Sequence, residues 1–298
     1  MSAQTLPLRP ASLPADRPGH AAPDDLAMRR AGLAAAIAAG MWQAQTPPAE
    51  VIVGGVRCLR FAPQGPVRGT VLHLHGGAFR IGCPEQLGNY AATLAARCGV
   101  AVICPAYRLA PENPFPAGVA DGWSVLAALV AANGGPLFIS GDSAGGGLAA
   151  GIAALAGQHG LKLAGLVLLS PWLDLSVTNP SYAENAASDP LFSADAAMQA
   201  AALYLQGHPL PDPVASPFDG PVGHYPPTLI NVGSGEVLLD DARKMYDRLQ
   251  AAGIPCRLHC VDDMLHVAVT RELNATGATE TLDAMTDFIL AALAEKLR

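Results

Sequence analysis

The chain has 298 residues, 51% of them hydrophobic and only 14% charged, which excludes a disordered, solvating chain because apolar surface is ample to offset chain entropy. A formal net charge of −7 and a pI near 5.5, with no Lys/Arg run, exclude broad binding to phosphate backbones, so no nucleic-acid partner is expected. Mean hydropathy is +0.28, yet no stretch reaches the roughly 18 uncharged apolar residues a spanning helix needs, so no membrane span is expected.

The opening MSAQTLPLRPASLPADRPGH is rich in Pro and polar residues and lacks the apolar segment of an export signal. A helix is expected at 24–40, then a strand pair from VIVGGVRCLRFAP, where the two glycines make a turn or bulge. Beyond it, apolar runs at 70–77, 100–107, 136–142, 166–172, 228–236 and 257–262 read as strands. They alternate with helical patterns near 84–97, 117–132, 144–158, 239–252 and 275–297. That alternation is the signature of an α/β fold whose mostly parallel sheet is covered by helices on both faces. The stretch 178–215 is too long for an ordinary connection and carries its own helix near 193–206, so it reads as an insertion over the sheet that shapes a pocket. Six cysteines (Cys58, Cys83, Cys98, Cys104, Cys256, Cys260) are scattered, without CxxC metal spacing or the density of a disulfide scaffold. Reduced thiols in a cytoplasmic protein are expected.

The strongest chemical signal is FISGDSAGGGLAAGIAALAG, in which Gly141-Asp142-Ser143-Ala144-Gly145 matches GxSxG. The pentapeptide alone is weak, but here an apolar strand runs into it and a small-residue helix runs out, as a nucleophile elbow requires. Ser143 would sit at the apex, with the helix N-terminus favouring developing negative charge. Upstream, His75-Gly76-Gly77-Ala78 follows an earlier strand, where such a loop lends backbone amides to an oxyanion hole that Ala144 completes. A serine nucleophile needs a base, and the base a carboxylate that fixes its tautomer. Late in the chain stand His259 and His266; the first alternates within a strand, whereas the second lies in the following loop, DDMLHVAV, and is the favoured base. For the acid, Glu236 closes the strand TLINVGSGE and is favoured over Asp240 and Asp241, which start the next helix and match its dipole, with Asp262 and Asp263 in reserve.

Taken together, HGGAF (75–79), YRLAPENPFPAGVAD (107–121), GDSAGGGLA (141–149), SPWLD (170–174), DPLFS (189–193), GSGEVLLDD (233–241) and DMLH (263–266) resemble the bacterial hormone-sensitive lipase family of α/β-hydrolases. The resemblance covers about 50–292. It implies an α/β-hydrolase fold with an eight-stranded sheet and a small helical cap: N-terminal cap helices in 1–45, a catalytic domain over 46–298, and a cap insertion at about 178–215. It also implies hydrolysis of short-chain carboxylic esters by Ser143, Glu236 and His266, with Gly77, Ala78 and Ala144 as oxyanion donors. The partner is then a small-molecule ester, a homodimer is allowed, and neither metal nor organic cofactor is required. Three departures stand out. Ala78 replaces the third glycine of HGGG and must hold a backbone angle that a Cβ tolerates; Ala106 replaces a common Asp; Glu236 stands where Asp is more frequent. Competing readings are a lipase, a deacetylase or amidase on the same fold, and a non-catalytic receptor using the same pocket.

Overall fold

The computed structural model describes residues 6–7, 9–132 and 135–295. Its sheet has eight strands: β1 (Ala49–Val53), β2 (Val56–Phe61), β3 (Thr70–Leu74), β4 (Ala101–Pro105), β5 (Leu137–Asp142), β6 (Gly165–Leu169), β7 (Thr228–Gly233) and β8 (Cys256–Val261). Their order across the sheet is β1-β2-β4-β3-β5-β6-β7-β8. The β1–β2 hairpin and the β2–β4 pair are antiparallel, and every pairing from β4 through to β8 is parallel.

The central strands are apolar at almost every position because both faces are covered, and the period of two sends neighbours to opposite cores. Leu72, Ile103, Ile139, Leu166 and Leu168 join one core; Val71, Val102, Phe138, Val167 and Leu169 join the other. Helices α3 (Ala117–Ala131), α4 (Ala144–Gln158) and α7 (Leu239–Ala251) bury Trp123, Leu148 and Met245 in the first. Helices α2 (Gly88–Cys98) and α9 (Ala278–Glu295) bury Tyr90, Leu94 and Met285 in the second. Between them, one-turn α8 (Ala268–Arg271) follows β8.

The strand readings run long at their carboxyl ends. The sheet pairing stops at Leu74 and Gly233, where the sequence pattern continues to 77 and 236. Apolar and glycine residues persist past the last ladder bond because these segments stay packed while turning into loops, and those loops carry the chemistry.

Over the carboxyl ends lie α1 (Asp24–Ala38), one-turn α5 (Ser181–Glu184) and α6 (Ala194–Leu205), the last capped by Ser193, whose Oγ accepts the Ala196 amide at 3.3 Å. Ahead of α1 the chain is a packed strap: Leu6 and Leu13 are buried, the carbonyl of Pro7 accepts the Trp123 indole N–H at 2.9 Å, and Arg17 donates to the carbonyl of Leu205 at 2.7 Å. Among the described residues no helix is long and apolar enough to cross a membrane, and all six cysteines are free.

Candidate active site

Ser143 stands between β5 and α4 with φ 54° and ψ −123°, a conformation that non-glycine residues rarely occupy. The turn is held from several directions: the Ser143 amide donates to the carbonyl of Leu169 at 2.9 Å, and the Ser143 carbonyl accepts from Trp172 and Gly146. Gly145 is required here, because a Cβ would run into the carbonyls of Leu74 and His75 at the end of β3. Beneath the elbow, Asp142 Oδ1 lies 3.1 Å from Nε2 of buried His73, while Nδ1 of His73 meets Ser140 Oγ at 2.7 Å, tying β3 to β5.

The structure brings Ser143, His266 and Glu236 into one hydrogen-bonded line. His266 Nε2 lies 3.0 Å from Ser143 Oγ, and His266 Nδ1 lies 2.6 Å from Glu236 Oε2. A carboxylate can only accept, so Nδ1 carries the proton and Nε2 presents its lone pair to the serine hydroxyl. Burial alone would drive the imidazole below its ordinary range and is the largest single influence. The hydrogen bond and charge of Glu236, with smaller contributions from Asp189 and Asp142, outweigh it and hold the pKa above the ordinary value.

Glu236 is 1% exposed, and its other oxygen, Oε1, accepts from Ser170 Oγ at 2.7 Å and the Gly233 amide at 2.6 Å. The longer acid therefore reaches the imidazole with all of its acceptors engaged. The alternatives lie elsewhere. Asp240 accepts the Ser181 amide at 3.0 Å; Asp241 accepts from Leu173 and Asp174 amides and from Asn179; Asp262 and Asp263 are exposed. Fully buried Asp241 has its pKa pushed up to about 7, chiefly by desolvation. Its role is thus larger than charge matching at a helix start: it pins the β6–α5 connection to α7. His259 sits on β8 beside the Asn231 amide, 3.2 Å away.

The loop after β3 brings Gly77 and Ala78 to the wall of the cavity that Ser143 also lines. Gly77 has φ 114°, and a Cβ there would collide with the carbonyl of Ile81. Ala78 departs from the expectation of a tolerant backbone angle: its φ is 53°, in the left-handed region, followed by Phe79 at 60°. The packing of Phe79, stacked on Tyr204 at 3.9 Å between centroids, holds the loop in place against that local cost. Among the described residues the amides of Gly77, Ala78 and Ala144 make no hydrogen bond to a protein acceptor, which leaves them available to a ligand oxygen.

Several supports escape a reading of the sequence. Ser170 donates to Glu236 and accepts the Val267 amide at 3.3 Å, coupling the acid to the loop that bears His266. Asp189 accepts the amides of Val237, Leu191 and Phe192, tying the insertion to the segment just after Glu236, and the Phe192 ring stacks on His266 at 5.9 Å. SPWLD and DPLFS mark these residues in the sequence, but only the tertiary fold brings them together.

The cavity over Ser143 has a volume of about 810 Å³, within the range of sites for small organic ligands. With this geometry in hand, the comparisons are specific. A model of the alpha/beta hydrolase fold family matches residues 71–270. An acetyl-hydrolase of Streptomyces hygroscopicus is 35% identical over 225 residues, 74% of this chain and 75% of the relative; a carboxylesterase of Mycobacterium tuberculosis is 30% identical, covering 71% and 70%. A crystal structure of an esterase from the bacterial hormone-sensitive lipase family superposes with a TM-score of 0.85 at 32% identity, over 92% of this chain and 93% of that one. The chain belongs to the bacterial hormone-sensitive lipase family of α/β-hydrolases. An esterase/lipase from an uncultured bacterium gives a TM-score of 0.84 at 32% identity and 94% coverage of both chains. Membership in this family makes the chain a carboxylic ester hydrolase, and the eight-stranded sheet is that of the family.

Proposed function

We propose that this hydrolase cleaves short-chain acyl esters through a Ser143–His266–Glu236 triad and an acyl-enzyme. The observation that carries the reading is the unbroken line from Ser143 Oγ through His266 to Glu236, at 3.0 and 2.6 Å. Ser143 Oγ attacks the ester carbonyl while its proton passes to His266 Nε2. The imidazolium so formed is stabilised by Glu236, and the oxyanion is held by the amides of Gly77, Ala78 and Ala144. Collapse expels the alcohol, which takes the proton from His266. Water, deprotonated by the same nitrogen, then attacks the acyl group and releases the carboxylic acid and Ser143. Each oxyanion donor typically contributes about 3 kcal/mol of transition-state stabilisation.

In this reading the N-terminal segment to residue 45 and the 178–215 insertion form the cap over the catalytic domain. Leu33 and Met41 from the first, and Leu191 and Phe192 from the second, line the cavity. These segments are short, and that favours small acyl groups; removal of an acetyl group, which the Streptomyces relative's name suggests, falls within the reading. A complete triad speaks against a receptor that merely holds its ligand. A lipase acting at lipid interfaces is the second reading, favoured by exposed Met28, Met41, Leu191 and Met198 on the cap segments.

The test is a series of para-nitrophenyl esters of increasing acyl length, assayed with wild type and Ser143→Ala. The expected result is a peak between about two and eight acyl carbons, because the short cap segments leave no long apolar channel beyond the cavity, with Ser143→Ala reduced by several orders of magnitude. A peak at palmitate would favour the lipase. Residual activity of Ser143→Ala above about a tenth of wild type would remove Ser143 as nucleophile.

A further inference from the structure

Arg80 directly follows the oxyanion loop, lines the same cavity as Ser143, and is only 7% exposed. Its backbone carbonyl is engaged by Arg30 Nε at 2.8 Å, which fixes the main chain. Its side chain is another matter. Among the described residues no carboxylate lies within ion-pair distance of the guanidinium. Nε is buried with no hydrogen-bond partner, and Nη2 makes one long contact, 3.5 Å, to the carbonyl of Ala196 on the cap. Arg9, Arg30, Arg57, Arg97 and Arg108 each meet Asp or Glu at 2.8 Å or less, and Arg80 is not among the arginines so paired. A buried cation with no carboxylate in contact, Asp25 acting on it only at a distance, is expensive in the empty protein and becomes favourable when an anion fills the gap.

The rest of the cavity has the same bias. Arg29 and Arg271 line it along with Arg80, against the carboxylates of Glu272 and of Asp142, and Asp142 is already committed to His73 and approached by the Thr270 hydroxyl. A pocket lined by these cations stands out in a chain of formal net charge −7. Desolvation, reinforced by Arg29 and only partly opposed by the more distant Asp25 carboxylate, weakens the hold of Arg80 on its proton relative to an ordinary arginine.

We propose that Arg80 is a specificity-determining residue that binds a carboxylate on the substrate, so that the esters this enzyme prefers carry a negative charge on the acyl or the alcohol portion. The inference rests on the ester-hydrolase reading above and narrows its substrate class. A carboxylate would take the terminal Nη atoms at the end of the guanidinium, of which, among the described residues, Nη1 makes no hydrogen bond to the protein and Nη2 holds only the long contact to Ala196, while the ester carbonyl lies at Ser143.

The test compares kcat/KM for matched pairs. On the acyl side the pair is the para-nitrophenyl monoester of glutaric acid against para-nitrophenyl pentanoate; on the alcohol side it is meta-acetoxybenzoate against meta-acetoxybenzamide. In at least one pair the charged-to-neutral ratio should fall about ten- to a hundredfold in Arg80→Gln, the loss expected for a charge-assisted hydrogen bond, with Arg80→Lys retaining part of the preference. The pair that responds identifies which portion carries the charge. Arg80→Met should unfold at a higher temperature than wild type, because it removes an uncompensated buried charge. Ratios within about twofold of wild type in both pairs for Arg80→Gln would overturn the proposal, as would a steep fall in unfolding temperature together with unchanged ratios. Two further measurements keep the result independent of those variants, and the second of them is independent of turnover as well. Free glutarate should inhibit wild type competitively where glutaramide does not, and meta-acetoxybenzoate should bind Ser143→Ala by calorimetry more tightly than its amide. If no ester of any kind is hydrolysed, the esterase reading fails, while the calorimetric comparison still decides for or against the carboxylate site.

Discussion

The two sides of the cavity above Ser143 are built by opposite rules. On the side of the proposed triad the carboxylates are fully engaged: Glu236 accepts from His266, Ser170 and Gly233, Ser170 also accepts from Val267, and Asp189 gathers three amides from around Glu236 and the insertion. On the facing wall, Arg80 Nε and His75 Nε2 are buried and unpartnered, with the His75 ring pushed down to about 4 chiefly by burial and hence neutral. The difference separates groups whose partners belong to the protein from groups whose partners must be supplied. A saturated network fixes geometry and leaves nothing for a ligand; an unsaturated wall is disfavoured when empty and selects what enters.

Breaking the saturated side should cost the most. Removing Asp241, which holds the β6–α5 connection through two amides and Asn179, leaves buried donors without an acceptor. Asp241→Ala should lower unfolding free energy by about 2–4 kcal/mol, measured by urea denaturation. A loss below about 1 kcal/mol would mean that water or a shifted side chain replaces the carboxylate. Ser170→Ala removes one of the acceptor's donors and the tie to Val267, and should lower kcat by about ten- to a hundredfold with little change in KM, since a hydrogen bond to a charged group contributes about 1.5–3 kcal/mol. An unchanged kcat would show that Gly233 alone positions Glu236.

The same network sets the pH profile. The His266 pKa is held above the ordinary imidazole value, so on lowering the pH the base is protonated early, and kcat/KM should fall on an acid limb centred above about 6.5. In Glu236→Gln the raising influence is gone while burial persists, so the limb should move to lower pH. A limb that stays in place would separate His266 titration from Glu236. The smallest expected effect concerns the loop that joins the two sides. Ala78 occupies φ 53°, so Ala78→Gly should raise unfolding free energy by about 0.5–1 kcal/mol, read as a higher urea midpoint. A lower midpoint would mean that the loop tolerates the Cβ without strain.

Much of this arrangement is legible in the chain because each reactive group has a local signature. The elbow is written in five consecutive residues around Ser143, and the proposed base stands out as the late histidine lying outside a strand. The sequence favours Glu236 over Asp240 because Glu236 closes the apolar run that begins in β7, in the turn just past its last ladder pair, whereas Asp240 lies in the first turn of α7, where its carboxylate meets Ser181. What stays hidden depends on pairs distant in sequence. Ser170 and Glu236 are 66 positions apart, and Asp189 and Val237 are 48 apart. No periodicity announces that Asp241 faces the β6–α5 connection or that Arg80 lacks a counter-charge, since an isolated Arg in a sequence is ordinarily a solvated one. The backbone angle of Ala78 is likewise invisible, because Ala is compatible with every common conformation and the left-handed one here is imposed by Gly77 before it and Phe79 packing after it.

The central claim is that Glu236, and not the neighbouring Asp240, orients His266 for attack by Ser143. It is tested most directly by steady-state hydrolysis of para-nitrophenyl butyrate with Glu236→Gln and Asp240→Asn, each first shown to be folded. The account predicts that Glu236→Gln lowers kcat by about a hundred- to ten-thousandfold, the loss that follows when the orienting carboxylate of a triad is neutralised. Asp240→Asn should lower it less than about tenfold and act on stability, by about 0.3–1 kcal/mol. The reverse ranking would contradict the account.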